Sequence, residues 1–434
     1  MYPVTGITWH EARAYCRFRG KDLPTLFQWE KAAKPPEWTP FGVIFPWGLV
    51  DYKDLTKRAN VDSTGLAPVN SFEFGMSHFG VYNSAGNAAE WIRNRYGDGY
   101  AVAGGASNDP PYGFLFYRTY PALSTSETLG CRCALSAGSP SHDEAGMALM
   151  PNQEAFHYPV STDREFKTSA AHYTFERMPL NAAILGVKES ASWRREEIGF
   201  DSRDGQRMNA FLYLPRTATG PYQVIHYLGG GGLWFGLPVT EDIEADGARL
   251  APYLRAGRAV FIEVLDGFNG RHTGKYAKAA ANAEFGTPEY RDGLISWIGD
   301  MQRGLDYLQT RSDIDRQKIA FWNDSTYFLG VPNAAINQRY SVVILVASGG
   351  QSAALYRLPA DINPFHFAPH IRAPKLVLNG RYDDECPEIV VRPFYELLQA
   401  PKKRAQFEGA HMPTPEVAVP IINGFLDETL GPVR

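Results

Sequence analysis

The sequence predicts two domains of different class, a loop-rich α+β domain followed by an α/β domain whose mostly parallel sheet carries helices on both faces. Up to about residue 135, short segments alternate with turn signals such as "NSAGN" and "YGDGY". From about residue 190, β-forming runs alternate with helical stretches, the pattern of a covered parallel sheet. The length of 434 residues also suits two or three ordinary domains.

The composition excludes several kinds of partner. The net charge is only -4 with Lys and Arg dispersed, so we expect no nucleic-acid-binding face. We find no apolar run long enough to span a membrane, and no apolar segment after a basic start that would mark a signal peptide. These features predict a cytoplasmic protein without a membrane partner, and they leave its oligomeric state open.

The four cysteines are too few for a disulfide framework. They are Cys16, Cys131, Cys133 and Cys386. Only Cys131 and Cys133 lie close together, and a C-x-C pair with no second pair and no nearby His is weak evidence for a metal site. We therefore predict structural thiols.

The first domain carries two helical stretches and a series of ordered motifs. Helices are predicted over residues 7–19 and after "LPT", where Thr25 is placed to cap a helix that carries Trp29. The motifs are "TWHEARAYCRFRGKDLPTLFQWEKAA", "FPWG", "FGVYNSAGNAAEWIRN", "AVAGGASND" and "GCRCA". In this order they resemble the formylglycine-generating enzyme (sulfatase-modifying factor) family. The resemblance implies a variant of the C-type-lectin fold over residues 1–138.

The family's chemistry does not transfer to this chain. Its members act through a reactive cysteine pair, and this sequence has no cysteine between Gly105 and Gly130. Cys133 matches only the family's closing cysteine. We therefore expect a non-catalytic domain, and because the family's N-terminal strands are missing before "PVTGITWHEA", either the domain is trimmed or the chain is a fragment.

The resemblance also implies a structural calcium ion, since family members often hold calcium near "GNxxE". Asn87 and Glu90 would then be ligands. The alternative is a capped helix turn that places Trp91 in the core. No other cofactor is expected.

Residues 139–165 are rich in Ser, Pro, Ala and acidic groups and are predicted as a linker. Residues 166–434 then form the second domain with an aromatic lead-in segment. Its main strands are predicted at 222–228, 259–265, 318–322, 342–348 and 374–379, with a weaker one at 404–408. Thr287 and Pro288 indicate the start of a long helix between the second and third of these strands.

Ligands of such sheets bind beyond the carboxyl ends of the strands, so the loops there are the candidate site. The first of these loops holds "GGGG", the third holds Ser325, the fifth holds "GRYDDECP" and the last holds His411. Serine, acid and histidine in this chain order are typical of α/β-hydrolases. His411 would accept the proton of Ser325, and a carboxylate would orient the imidazole.

The second domain resembles the α/β-hydrolase superfamily, and more closely the dienelactone-hydrolase-like domains that follow formylglycine-generating-enzyme-like domains in some bacterial multidomain proteins. "YTFERMPLNA", "GRYDDECP" and the ending "GPVR" carry this closer match. It implies a triad of Ser325, Asp383 and His411, with Asp384 as the alternative acid. The predicted oxyanion-hole donors are the N–H groups of Gly230 or Gly231 and of Thr326.

The nucleophile motif departs from G-x-S-x-G, because Asn323 and Tyr327 replace its glycines. Pro332 also removes an N–H from the helix that should follow. Since the triad order is retained, we predict a working but atypical serine carboxylesterase. A pocket of Trp234, Trp322 and Tyr327 would favour small acyl or aryl esters.

Several alternatives stay open. The hydrolase fold could be an inactive ligand-binding or regulatory module, or Cys386 could serve as a thiol nucleophile. The first domain could recognise carbohydrate or peptide, or pack against the hydrolase. His226 precedes the glycines at the wrong spacing for an oxyanion motif and is interpreted as a strand histidine.

Overall fold

The computed structural model forms two compact units, Met1–Gln153 and Glu154–Arg434. It describes residues 1–33, 45–47, 55–96, 98–109, 113–114, 117–135, 158–230, 240–244, 249–267, 271, 287–349, 358–381, 383, 386, 388–408 and 411–433. Within these ranges, no helix is both long and apolar enough to cross a membrane.

The first unit is built from short elements around a small sheet, as the sequence predicts. Its helices are α1 (Trp9–Phe18), α2 (Leu26–Ala33) and α3 (Leu55–Arg58), with a 3₁₀ turn at Glu73–Gly75. Its strands are β1 (Ala89–Tyr96), β2 (Gly99–Ala103), β3 (Arg118–Tyr120) and β4 (Leu129–Gly130), in the sheet order β3-β2-β1-β4. Thr25 caps α2 by accepting a hydrogen bond from the Gln28 N–H at 3.2 Å, and Trp29 is buried.

The side chains of the two predicted calcium ligands interact with other residues of the chain. The Asn87 side-chain oxygen accepts a hydrogen bond from the Ala67 N–H at 2.8 Å. The Glu90 carboxylate forms an ion pair with Arg132 at 2.7 Å. The structure therefore does not support a calcium site at this position. Trp91 lies in the core as the alternative expected, but on strand β1 and not on a helix turn.

The prediction that all cysteines are thiols is wrong for one pair. Cys16 of α1 and Cys133 of the closing segment form a disulfide, whereas Cys131 and Cys386 are free. The two bonded residues are 117 positions apart, and sequence spacing could not pair them. This bond ties the start of the first unit to its end.

The second unit contains one nine-stranded sheet. Its strands are β5 (Ala183–Glu189), β6 (Trp193–Asp201), β7 (Arg207–Pro215), β8 (Tyr222–Leu228), β9 (Ala259–Glu263), β10 (Ile314–Asp324), β11 (Val342–Val346), β12 (Lys375–Gly380) and β13 (Lys402–Phe407). The sheet order is β13-β12-β11-β10-β8-β9-β7-β6-β5. Pairing is parallel from β13 to β9 and antiparallel beyond β9. All six predicted strands are present in the parallel part.

Helices cover the two faces of this sheet. They are α4 (Asp163–Ala170), α5 (Glu241–Glu244), α6 (Ala251–Arg255), α7 (Pro288–Thr310), α8 (Tyr327–Ile336), α9 (Pro364–Phe367), α10 (Glu388–Leu397) and α11 (Pro415–Leu430), with 3₁₀ turns at Ala171–Tyr173 and Ala368–His370. Neighbouring residues of β10 point to opposite faces. Trp322 packs on Tyr253 of α6, whereas Asn323 lies against Gly330 of α8. The long helix predicted from Thr287 is α7, and the Thr287 side chain caps it.

The described segment before β5 packs on the rest of the second unit. The Ser161 hydroxyl donates a hydrogen bond to the His366 carbonyl at 2.6 Å, and the Tyr173 hydroxyl donates one to the Asp361 carbonyl at 2.6 Å. Ser161 falls in the predicted linker 139–165. The end of that stretch is thus part of the second unit.

We predict that the disulfide contributes about 2–5 kcal/mol to the stability of the first unit, because it closes a long loop in the unfolded chain. Cys16→Ser should lower the denaturant midpoint of this unit, measured by hydrogen exchange of peptides from the β1–β2 region. Cys131→Ser is the matched control, since Cys131 is a free cysteine of the same segment. Equal midpoints for the two variants would contradict the prediction.

Candidate active site

The candidate nucleophile lies on a tight turn between a buried strand and a helix. Strand β10 ends at Asp324, and α8 begins at Tyr327. Ser325 between them has φ of 60°, in the left-handed region where side chains are strained by about 1–3 kcal/mol. The Ser325 N–H donates a hydrogen bond to the Val346 carbonyl at 2.9 Å, which ties the turn to the end of β11. This is the strand–serine–helix geometry that the sequence order predicts.

A glycine elsewhere makes room for the asparagine that replaces the first motif glycine. Asn323 is fully buried, and its amide donates a hydrogen bond to the Thr326 hydroxyl at 2.6 Å. Gly330, one turn into α8, faces Asn323 so closely that an added Cβ would lie 2.3 Å from its Cγ. The strand and the helix therefore approach closely because Gly330 lacks a side chain, even though position 323 has one.

The tyrosine that replaces the second motif glycine is buried in the core. Tyr327 is buried, and its ring packs edge-on against Phe328 at 6.0 Å between centroids. Pro332 lies inside α8, which continues to Ile336. The helix after the nucleophile therefore forms despite both replacements.

The three predicted triad residues meet at one point. The Ser325 hydroxyl lies 2.7 Å from His411 Nε2. His411 Nδ1 lies 3.0 and 2.9 Å from the two carboxylate oxygens of Asp383. Asp383 and His411 are buried, and Ser325 is partly exposed. With Nδ1–H donating to Asp383, Nε2 presents its lone pair to the Ser325 hydroxyl, which is the tautomer that a triad requires.

The acid is anchored by its own loop. The Cys386 N–H donates a hydrogen bond to Asp383 Oδ1 at 2.9 Å, and the Cys386 thiol donates one to the Ala347 carbonyl at 3.3 Å. Asp383, Cys386 and His411 each offer a ligand atom, and these atoms lie within 4.8 Å of one another. The alternative acid Asp384 lies outside the described residues.

Gly230 lies beside the nucleophile, whereas Thr326 has a competing partner. A Cβ added at Gly230 would lie 3.7 Å from Ser325 Cβ, so the backbone of this glycine borders the reaction site. The Thr326 N–H donates a hydrogen bond to the Asp324 carbonyl at 2.6 Å, which it would have to share with an oxyanion. The Thr326 hydroxyl also donates one to the Gly229 carbonyl at 3.2 Å. Gly231 is outside the described residues.

Trp322 does not line a substrate pocket, contrary to the prediction. It is 1% exposed, and its indole N–H donates a hydrogen bond to Asp324 at 2.6 Å. The same buried carboxylate accepts hydrogen bonds from the Tyr227 hydroxyl at 2.7 Å and from Arg249 at 2.8 Å. Burial, followed by the Asp324 charge, raises the pKa of the neighbouring Tyr253 phenol. Trp234, the other predicted tryptophan, is outside the described residues.

Sequence reasoning missed this cluster around Asp324. Arg249 is 75 positions away, and a carboxylate at the end of an apolar strand carries no signal of its partners. His226, in contrast, is a buried strand histidine as interpreted. It lies between Glu263 and Tyr340, each at 3.0 Å.

We predict that Gly330→Ala lowers stability by about 1–3 kcal/mol and disturbs the nucleophile turn, because its Cβ would overlap Asn323. The double variant Asn323→Gly/Gly330→Ala should recover much of this loss, since it removes the atoms that clash. The measurement is urea unfolding of the parent, of the single variants Gly330→Ala and Asn323→Gly and of the double variant, with the coupling energy taken from this double-mutant cycle.

Gly424→Ala in α11 is the matched control, because an added Cβ there meets nothing within 4 Å. It should not destabilise the protein, since alanine favours a helix interior. Additive effects of the two changes at positions 323 and 330 would show that they do not share one space.

Comparison with known proteins supports the first domain. A model described as the sulfatase-modifying factor enzyme 1-like domain matches residues 1–138. The inactive C-alpha-formylglycine-generating enzyme 2 of Mus musculus is 34% identical over 162 residues, which cover 32% of this chain and 51% of that relative. The chain thus spans about half the length of the first curated relatives that it matches.

Solved esterases are similar to part of this chain at low identity. An acetyl xylan esterase from Paenibacillus sp. R4 has a TM-score of 0.49 and 17% identity, over 64% of this chain and 98% of that one. A glucuronoyl esterase from Solibacter usitatus has a TM-score of 0.45 and 18% identity, over 62% and 93%. The grounds for the fold of the second unit are its sheet order and the strand–serine–helix turn. The chain therefore carries an N-terminal sulfatase-modifying factor enzyme 1-like domain and a C-terminal domain of the α/β-hydrolase fold.

Proposed function

We propose that the second unit is a serine-dependent ester hydrolase of the carboxylesterase type that forms an acyl-enzyme on Ser325. The observation that carries this proposal is the continuous hydrogen-bonded path from the Ser325 hydroxyl through His411 to Asp383. Two further observations favour Ser325 as a functional nucleophile over Ser325 as an ordinary turn residue. They are the strained backbone at Ser325 and the close approach of Gly330 to Asn323.

In the first half of the reaction, Ser325 Oγ attacks the ester carbonyl while its proton moves to His411 Nε2. Asp383 stabilises the imidazolium that forms. Backbone N–H groups beside the serine bind the oxyanion, and we assign Gly230 and Thr326 this role, with Gly231 as the alternative glycine. His411 then gives its proton to the leaving alcohol as the tetrahedral intermediate collapses.

In the second half, water attacks the acyl-enzyme with His411 as its general base. The proton taken from water returns to Ser325 as the acid product leaves. This cycle uses only side chains and backbone groups of the chain, so the proposed mechanism includes no cofactor. Cys386 is a poorer nucleophile candidate than Ser325. Its thiol donates a hydrogen bond to the Ala347 carbonyl, whereas the Ser325 hydroxyl is hydrogen-bonded to His411 Nε2, the nitrogen that would accept the proton.

We propose that the first domain is non-catalytic, since it lacks cysteines where the resembling enzymes have their reactive pair. Its role as a recognition module or as a packing partner is a separate question. The cytoplasmic location stays a prediction, and the Cys16–Cys133 disulfide favours an oxidising compartment instead.

Ser325→Ala should abolish hydrolysis of p-nitrophenyl acetate and butyrate, with a loss of roughly 10⁴- to 10⁶-fold in kcat, because the acyl acceptor is removed. Ser341→Ala is the matched control, since that serine only donates a hydrogen bond to the Gln317 carbonyl at 2.5 Å. Equal, background-level rates in the parent and in Ser325→Ala would favour the inactive ligand-binding or regulatory module.

Small acyl groups should be hydrolysed faster than long ones. Tyr327 takes the position of a motif glycine two residues after the acyl-accepting serine, and we expect its bulk to leave less room there than a glycine would. We expect kcat/KM for p-nitrophenyl acetate and butyrate to exceed that for the decanoate and palmitate esters. Faster turnover of the long-chain esters would refute this preference.

A further inference from the structure

A thiol lies next to the acid and the base of the triad. Cys386 follows Asp383 by three residues in a loop that its own N–H holds to the Asp383 carboxylate. One ligand atom from each of Asp383, Cys386 and His411 lies within 4.8 Å of the other two. All three residues are buried. A carboxylate oxygen, a thiol sulfur and an imidazole nitrogen are the three ligand types that zinc takes in proteins.

We propose that these three side chains form a binding site for a thiophilic divalent cation, Zn²⁺ or Cd²⁺, and that the bound cation reversibly inhibits the hydrolase. Only the inhibition depends on the proposed function. The binding of the cation depends on the geometry of the cluster alone.

The cluster needs little rearrangement to hold such an ion. Bonds of about 2.0–2.3 Å in a tetrahedral site place the ligand atoms about 3.3–3.8 Å apart. His411 Nδ1 and Asp383 Oδ2 are already 2.9 Å apart, so their hydrogen bond would open slightly. The thiol would have to move by about 1.5 Å at most, since no pair of ligand atoms exceeds 4.8 Å. The hydrogen bond of the thiol to the Ala347 carbonyl, at 3.3 Å, is weak, so losing it would cost little.

Binding would inhibit the enzyme by changing the tautomer of His411. The Cys386 thiol releases its proton to solvent and binds as the thiolate. The imidazole stays neutral, but its proton moves from Nδ1, which now binds the ion, to Nε2. Nε2–H then faces the Ser325 hydroxyl at 2.7 Å as a donor. It has no lone pair to accept the serine proton, so the nucleophile cannot be activated.

The donor set also predicts which cations would act. Mg²⁺ and Ca²⁺ prefer six or more oxygen ligands and bind poorly to sulfur and nitrogen. Zn²⁺ and Cd²⁺ accept a three-ligand site with water in the fourth position. Inhibition by the first pair at similar concentration would therefore indicate a different site.

The direct test is binding, followed by the ultraviolet absorption of the Cd²⁺–thiolate bond in the oxidised full-length protein. The parent and Ser325→Ala should both develop the band at about one Cd²⁺ per chain, because Ser325 is not a ligand. Cys131→Ser should keep the band and Cys386→Ser should lose it. Cys131 is the matched control, since burial raises its pKa to about 11 and it is the other free cysteine of the described residues.

The second readout is hydrolysis of p-nitrophenyl butyrate with increasing Zn²⁺. Parent activity should fall and return on addition of a chelator, whereas Cys386→Ser should need at least about ten-fold more Zn²⁺. Cys386→Ala serves the same purpose if a hydroxyl at this buried position lowers stability, and thermal unfolding of each variant reports this. Absence of the Cd²⁺ band in the parent, or equal Zn²⁺ sensitivity of the parent and the folded Cys386 variant, would overturn the proposal.

The two proposals fail in different ways. If Ser325→Ala hydrolyses esters as fast as the parent, the assigned nucleophile is wrong, but a band that depends on Cys386 still establishes the cation site. If hydrolysis depends on Ser325 and no band forms, the catalytic assignment stands and the cation site is refuted.

Discussion

The close approach of β10 to α8 is the contact on which the geometry of the candidate site depends. Nucleophile turns use glycine because strand and helix must come together around a strained residue. Here Asn323 occupies the strand position and Gly330 provides the space from the helix side. The asparagine also contributes something that glycine could not, because its amide donates a hydrogen bond to the Thr326 hydroxyl. That hydroxyl in turn donates one to the Gly229 carbonyl, so one chain of contacts joins the turn to the glycine loop.

The end of β11 joins the proposed nucleophile Ser325 to the loop that holds the proposed acid Asp383. Its Val346 carbonyl accepts the hydrogen bond of the Ser325 N–H, and the Ala347 carbonyl accepts that of the Cys386 thiol. Cys386 in turn orients Asp383 through its N–H. Because β10, β11 and β12 are parallel neighbours, their carboxyl ends meet at one edge of the sheet. Local contacts of a few residues at that edge are then enough to place groups that are far apart in the chain.

The order of the strands and of the candidate site loops could be predicted from the sequence, whereas the sheet face to which a buried side chain points could not. The strands and the capped helix at Thr287 follow local patterns that a sequence displays, whereas the candidate triad was predicted from the order of its residues along the chain and from a resemblance. Trp322 was misplaced because a strand buried on both faces has no polar alternation that tells which side faces the site. The Cys16–Cys133 bond and the space shared by Asn323 and Gly330 depend on contacts formed only in the folded chain.

The carboxylate directly before the nucleophile has an electrostatic consequence. A buried anion at Asp324 would oppose the negative charge that develops on the carbonyl oxygen of an ester attacked by Ser325, and an uncompensated buried charge is costly in itself. Arg249 offsets this charge, and the Tyr227 hydroxyl and the Trp322 indole supply two further donors. These partners explain why an acidic residue is tolerated beside Ser325. They also suggest a role for Trp322 that involves no substrate contact. Its indole N–H stabilises the Asp324 carboxylate, which would otherwise repel the negative charge on the reacting carbonyl oxygen more strongly.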